Sequence, residues 1–122
     1  MAKILLAEDD LFIRDIYSEV LENENFELTV AKDGAEAFEK IMQGNWDIVL
    51  LDIIMPKMTG IEILEELKEK NLHSLAKHII LMTNTEETKE LSDVNEMYDD
   101  FILKSAITPG DLLERIEGYL KE

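Results

Sequence analysis

Four carboxylates, a hydroxyl and an ammonium stand directly after short apolar runs in this 122-residue chain. Glu8, Asp9 and Asp10 follow Ile4 to Ala7, and Asp52 closes the run Ile48-Val49-Leu50-Leu51. Thr83 and Asn84 follow Ile79 to Met82, Lys104 and Ser105 follow Phe101 to Leu103, and Lys32 and Asp33 follow Leu28 to Ala31. Taken singly, most have a plain structural reading. Asp10 suits the cap of a following helix, Glu8 and Asp9 suit solvated loop acids, Thr83 suits the cap of a turn, and Lys104 can reach from a strand end to water. Asp52 resists such a reading, because an unpaired charge at the end of four apolar residues is expensive. Together the residues form a different pattern. Clustered carboxylates repel one another unless a cation neutralises them, and an oxygen-only set suits a hard ion such as Mg²⁺. A lysine is the matching point charge for a transferred phosphoryl group. Metal, lysine and hydroxyl around one aspartate are the equipment for forming an aspartyl phosphate.

The elements that must position these groups alternate in period. The five short runs of Ile, Val and Leu read as buried strands. Between them lie stretches of helical period, such as Ile13, Ile16, Tyr17 and Val20, or Leu112, Leu113, Ile116 and Leu120. Capping pairs mark the helix starts: Asp33 with Glu36, Thr59 with Glu62, Asn84 with Glu87 and Thr108 with Asp111, the last followed by Pro109 at the first helical position. The pattern is (βα) repeated five times, which predicts an α/β fold: a doubly wound, parallel sheet with right-handed crossovers and helices on both faces. Ligands of such sheets bind beyond the carboxyl ends of the strands, where strand order reverses. All the residues above fall at that edge.

Composition narrows the partners. With 12 basic and 28 acidic residues the formal net charge is −16, which disfavours phosphate backbones and anionic lipid, so neither nucleic acid nor membrane is an expected partner. The absence of cysteine excludes disulfides, thiolate metal sites and cysteine nucleophiles. No apolar run approaches the roughly 20 residues that cross a bilayer, and Met1-Ala2-Lys3 leads straight into a strand rather than a signal peptide, so a cytoplasmic protein is expected. The apolar share of 46% fits one domain over residues 1–122. The last helix is expected to run almost to Glu122, leaving no tail for an output domain, which suggests a stand-alone protein.

The set Glu8-Asp9-Asp10, Asp52 with Met55-Pro56-Lys57-Met58-Thr59-Gly60, Thr83 and Lys104 resembles the receiver domain of two-component response regulators over essentially the whole chain. The resemblance implies a flavodoxin-like, five-stranded sheet of order 2-1-3-4-5. It makes Asp52 the phosphoacceptor, taking its phosphoryl group from a sensor histidine kinase or a histidine phosphotransfer protein in a Mg²⁺-dependent reaction. Asp9 becomes the direct metal ligand, because the family's helix arginine sits five residues further on and Arg14 is five after Asp9; Glu8 acts through water, and Asp52 and the backbone carbonyl of Ile54 complete the set. Thr83 would hydrogen-bond a phosphoryl oxygen and Lys104 would pair with another. Phe101 matches the aromatic that rotates on activation, and it equally reads as a plain core aromatic. Phosphorylation would then bias a two-state equilibrium and alter the face formed by the fourth helix, fifth strand and fifth helix, for a downstream protein target. A monomer or a phosphorylation-dependent dimer is compatible with this.

Several positions depart from the family pattern. Lys104 is followed by Ser105 instead of the usual proline with its cis peptide, which for a non-proline would cost about 2.5–4 kcal/mol. Asn84 replaces a small residue, Met97-Tyr98 replaces Gly-Ala, and the interval from Thr83 to Lys104 is about one residue short by the family's measure, so the fourth helix is the least predictable region. Ile54 and Thr85 stand where the family's acids or amides position the hydrolytic water, which implies a slowly hydrolysing phosphorylated state. His73 in a loop, His78 at the start of the fourth strand, and Met42 and Met82 in the core all read as structural, and Trp46 precedes the third strand.

Such a receiver is a signalling switch that catalyses only its own phosphorylation and dephosphorylation. A pseudo-receiver that binds proteins without taking phosphate is the alternative, opposed by the intact set Glu8, Asp9, Asp52, Thr83 and Lys104. A Mg²⁺-dependent phosphatase would place a second acid two residues after its nucleophile, where this chain has Ile54. A flavin-binding protein would need a hydroxyl-rich phosphate loop after the first strand, where three acids would repel the ligand.

Overall fold

The computed structural model describes residues 1–22, 24–84 and 89–121. The five predicted strands are present as β1 (Lys3–Ala7), β2 (Glu27–Ala31), β3 (Trp46–Asp52), β4 (Ala76–Thr83) and β5 (Asp100–Leu103). Between and after them run α1 (Leu11–Glu22), α2 (Gly34–Ile41), α3 (Gly60–Glu69), α4 (described over Lys89–Ser92) and α5 (Pro109–Leu120). All pairings are parallel and the strand order is β2-β1-β3-β4-β5. The flavodoxin-like doubly wound sheet expected from the sequence is therefore the fold.

The central strands are apolar on both faces because both faces are covered. Leu5, Val49, Leu51, Ile79 and Leu81 pack with Ala37, Ile41, Ile63 and Leu67 from α2 and α3. The alternate residues Ile4, Leu6, Ile48, Leu50, Ile80 and Met82 pack with Tyr17, Leu21, Leu112 and Ile116 from α1 and α5. The two-residue period of a strand thus sorts one apolar run into two cores. Among the described residues, no helix is long and apolar enough to cross a membrane.

Local signals hold where they can be checked. Asp33 accepts from the Glu36 N–H, and Thr59–Glu62 and Thr108–Asp111 form reciprocal capping boxes with Pro109 in the first turn of α5. Asn84–Glu87 is the exception, since Glu87 lies outside the described residues, as does Thr85. Two assignments need correcting. Met42 is not core: it is 41% exposed, because the buried stripe of α2 runs through Ala37 and Ile41 and the next residue is turned about 100° away from it. Trp46 belongs to β3 itself; its ring is buried, its Nε1–H donates to the Lys40 carbonyl at 2.9 Å, and Lys3 lies 4.4 Å over its face. Met82 is core as expected, His73 lies in the α3–β4 connection, and His78 is the third residue of β4.

Candidate metal and phosphoryl site

The turns leaving β1 and β3 go to helices on opposite faces of the sheet, and the crevice between them holds the acids. In register, Ala7 sits beside both Ala31 and Leu51, so Glu8 and Asp52 leave adjacent strands at the same level. Asp52 pairs with Met82, and Thr83 with Leu103, which brings Thr83 and Lys104 to the same edge. All the strand-end residues singled out in the sequence are thus gathered at one end of the sheet.

Burial separates the acids that sequence alone treats alike. Glu8 is completely buried, Asp52 is 3% exposed and Thr83 is 1% exposed, while Asp9 is open to solvent. Glu8 is therefore no solvated loop acid. Carboxylate oxygens of Glu8, Asp9 and Asp52 all come within 4.8 Å of one another. Lys104 Nζ donates to both oxygens of Glu8, at 3.0 and 3.1 Å, and to Asp52 Oδ2 at 3.1 Å. Burial, followed by the neighbouring Asp52, pushes the Glu8 carboxyl up to about 8 against the opposing pull of Lys104. For Lys104 burial alone would lower the ammonium, but Glu8 and Asp52 outweigh it and hold it above its usual value. Nearby, burial raises the Tyr17 phenol, with Lys104 opposing.

The remaining residues have definite places. Asp10 caps α1, accepting the Ile13 N–H at 3.0 Å on its side chain, as its plain reading requires. Arg14 donates to the Glu8 carbonyl at 3.0 Å, a contact that pins the β1–α1 turn and that residue spacing does not reveal. Ile54 is 63% exposed in the loop after Asp52. Phe101 is half-buried against the α2–α3 core. Lys104–Ala106 form a single 3₁₀ turn, and no peptide among the described residues is cis, so Lys104 reaches Glu8 and Asp52 without the family's cis proline. Asn84 is exposed and lines, with Ile13, Tyr17 and Ser105, a cleft of about 220 Å³ beside Lys104.

An oxygen-only set of two buried acids and one exposed acid fits a hard divalent cation. The Lys104 ammonium bridges two of them, Glu8 and Asp52.

Comparison with known proteins agrees with this arrangement. The family model described as the response regulator receiver domain matches residues 4–117. The Staphylococcus aureus transcriptional regulatory protein SrrA is 33% identical over 119 residues, which are 98% of this chain and 48% of that protein. The chain thus spans about half the length of the curated relatives it matches. Among solved structures, the Francisella response regulator 1452 receiver domain is similar with TM-score 0.84 and 27% identity, covering 99% of this chain and 98% of that one. The Thermotoga maritima response regulator TrrA, in complex with Mg(2+)-BeF, is similar with TM-score 0.77 and 30% identity, covering 98% and 99%.

Proposed function

The chain belongs to the response regulator receiver-domain family, and from that membership we propose that it is a phosphorylation switch with Asp52 as its acceptor. The observation that carries this reading is the Lys104 ammonium held at 3.0–3.1 Å between the buried carboxylates of Glu8 and Asp52. An Asp52 oxygen attacks the phosphorus of a phosphohistidine on a sensor kinase or phosphotransfer protein; the P–N bond breaks and its electron pair returns to the imidazole. Asp9 would hold Mg²⁺ directly and Glu8 through water, with Asp52 and the Ile54 carbonyl as the remaining protein ligands. The ion supplies charge neutralisation for the phosphoryl oxygens. Lys104 leaves Glu8 to pair with one phosphoryl oxygen, and the Thr83 hydroxyl donates to another.

Drawing in Thr83 and Lys104 couples the site to the α4–β5–α5 face. That face carries a cleft of about 620 Å³ lined by Phe101, Leu103, Ile107 and Arg115, the last paired with Asp100 at 2.9 Å. Phe101 turning inward on activation would reshape it for a downstream protein or for a second copy of the chain. The net charge of −16 favours a protein over DNA as the partner of this domain, in a cytoplasmic setting.

The test is an intact-mass spectrum after incubation with acetyl phosphate and Mg²⁺, beside Asp52→Ala. One phosphoryl group on the parent and none on the variant is the expected result. An adduct on both, or none on the parent from either acetyl phosphate or a phosphohistidine donor, overturns the reading; absence of Mg²⁺ binding as well would favour a protein-binding module that does not take phosphate.

A further inference from the structure

The loop that follows Asp52 is seated on an element outside the site. Three contacts hold it. Its first residue, Ile53, donates to the Met82 carbonyl on β4 at 3.1 Å. At its far end the Gly60 N–H returns to the Ile53 carbonyl at 2.8 Å, and a Cβ on Gly60 would stand 2.5 Å from the Asp52 carbonyl oxygen. Between these, the loop tip lies on the first residue of α2: the Gly34 N–H donates to the Pro56 carbonyl at 3.1 Å. A Cβ on Gly34 would fall 1.5 Å from the Met58 carbonyl oxygen, closer than any backbone tolerates. Only glycine permits this approach.

The tip itself is a tight corner. Lys57 has φ +72°, and the Met58 N–H donates to the Pro56 carbonyl at 2.8 Å, which closes a γ-turn of the rarer, strained hand. Lys57 Nζ then reaches Asp33 Oδ2 at 3.4 Å, while the other oxygen of Asp33 caps α2. Two peptides at most separate this corner from the Ile54 carbonyl.

We infer that Gly34, with the Lys57 corner seated on it, is a positioning element for the cation site: the contact holds the β3–α3 loop so that the Ile54 carbonyl faces Glu8, Asp9 and Asp52. This rests on the proposed role of the Ile54 carbonyl as a ligand. A Cβ at position 34 forces the Met58 carbonyl to retreat by about 1.5 Å merely to reach the 3.0 Å limit of real Cβ contacts. Supports beyond the ligands themselves commonly govern metal affinity about 10–100-fold.

The experiment is titration of Mg²⁺ by isothermal calorimetry into the parent, Gly34→Ala and Lys57→Val, with folding followed by amide NMR spectra. Lys57 is an exposed side chain, and valine is strongly disfavoured at its positive φ, so this variant disturbs the corner while sparing the core. Thr108→Ala, in the cap of α5, is the control for loss of stability alone. About tenfold weaker Mg²⁺ binding or more in both loop variants, with the control unchanged, is expected. If Gly34→Ala does not fold, Lys57→Val decides. Parental affinity in a folded loop variant overturns the positioning role while leaving the proposed function intact. Failure of the parent to bind Mg²⁺ overturns both.

Discussion

Replacing Glu8 by glutamine isolates the cost of keeping an acid where this fold keeps one. The side chain has no exposed surface, and burial together with Asp52 moves its ionisation from 4.5 to about 8. At 1.36 kcal/mol per decade of pH that displacement is worth about 5 kcal/mol between its two charge states. The sign follows from proton binding: between 4.5 and about 8 the folded protein keeps a proton that the unfolded chain has released. The contribution is thus fully present below 4.5 and is lost as pH rises through about 8. Glutamine fills the same space, can still accept from Lys104, and cannot ionise. In metal-free buffer Glu8→Gln should therefore match the parent within about 1 kcal/mol at pH 5, be more stable by about 3 kcal/mol at pH 7 and by about 5 kcal/mol at pH 8.5. For a chain of this length each kcal/mol moves Tm by about 3–5 °C, so the gap at pH 8.5 should exceed about 10 °C. Thermal unfolding by circular dichroism with EDTA reads it directly. Mg²⁺ at about 100 times its Kd should then nearly close the gap at pH 7 and about halve it at pH 8.5, because such a ligand adds about 2.7 kcal/mol to the form that binds it. A Tm difference that stays constant from pH 5 to 8.5 would refute the argument, since it would mean that Glu8 is no more costly to ionise folded than unfolded.

Other changes test other contacts. Lys104→Met removes the cation between Glu8 and Asp52, and urea unfolding at pH 8 should show a loss of about 3–5 kcal/mol that shrinks as pH falls and Glu8 takes up its proton. Thr108→Ala opens the capping box of α5 and should lower stability by about 1 kcal/mol, seen as a small fall in Tm with Mg²⁺ binding unchanged. With Ile54 at its position and no acid or amide there, the phosphorylated protein should decay slowly for its family; following the phosphoprotein by intact mass after removing the donor measures this, and rapid first-order loss would contradict it.

Much of the arrangement is written in short-range pattern. The strands announce themselves as apolar runs of three or four residues, and the central ones have no polar side because a parallel sheet is covered there on both faces. Asp33, Thr59 and Thr108 are legible as caps because each acts on a residue three further along, so no tertiary knowledge is needed. Strand ends bring Glu8, Asp9, Asp52, Thr83 and Lys104 to one edge for the same reason, once the sheet is known to be parallel. Burial is different, because it depends on what the rest of the chain places around a residue. Adjacent acids look equivalent in sequence, yet Glu8 is enclosed, Asp9 faces water and Asp10 caps a helix. Met42 reads as core by type and is carried off the buried stripe by one helical step. The grip of Lys104 on both Glu8 and Asp52, and the seating of Met58 on Gly34, join residues far apart in the chain. No local preference encodes such contacts; they exist only because packing two helical layers on one twisted sheet leaves those atoms nowhere else to go.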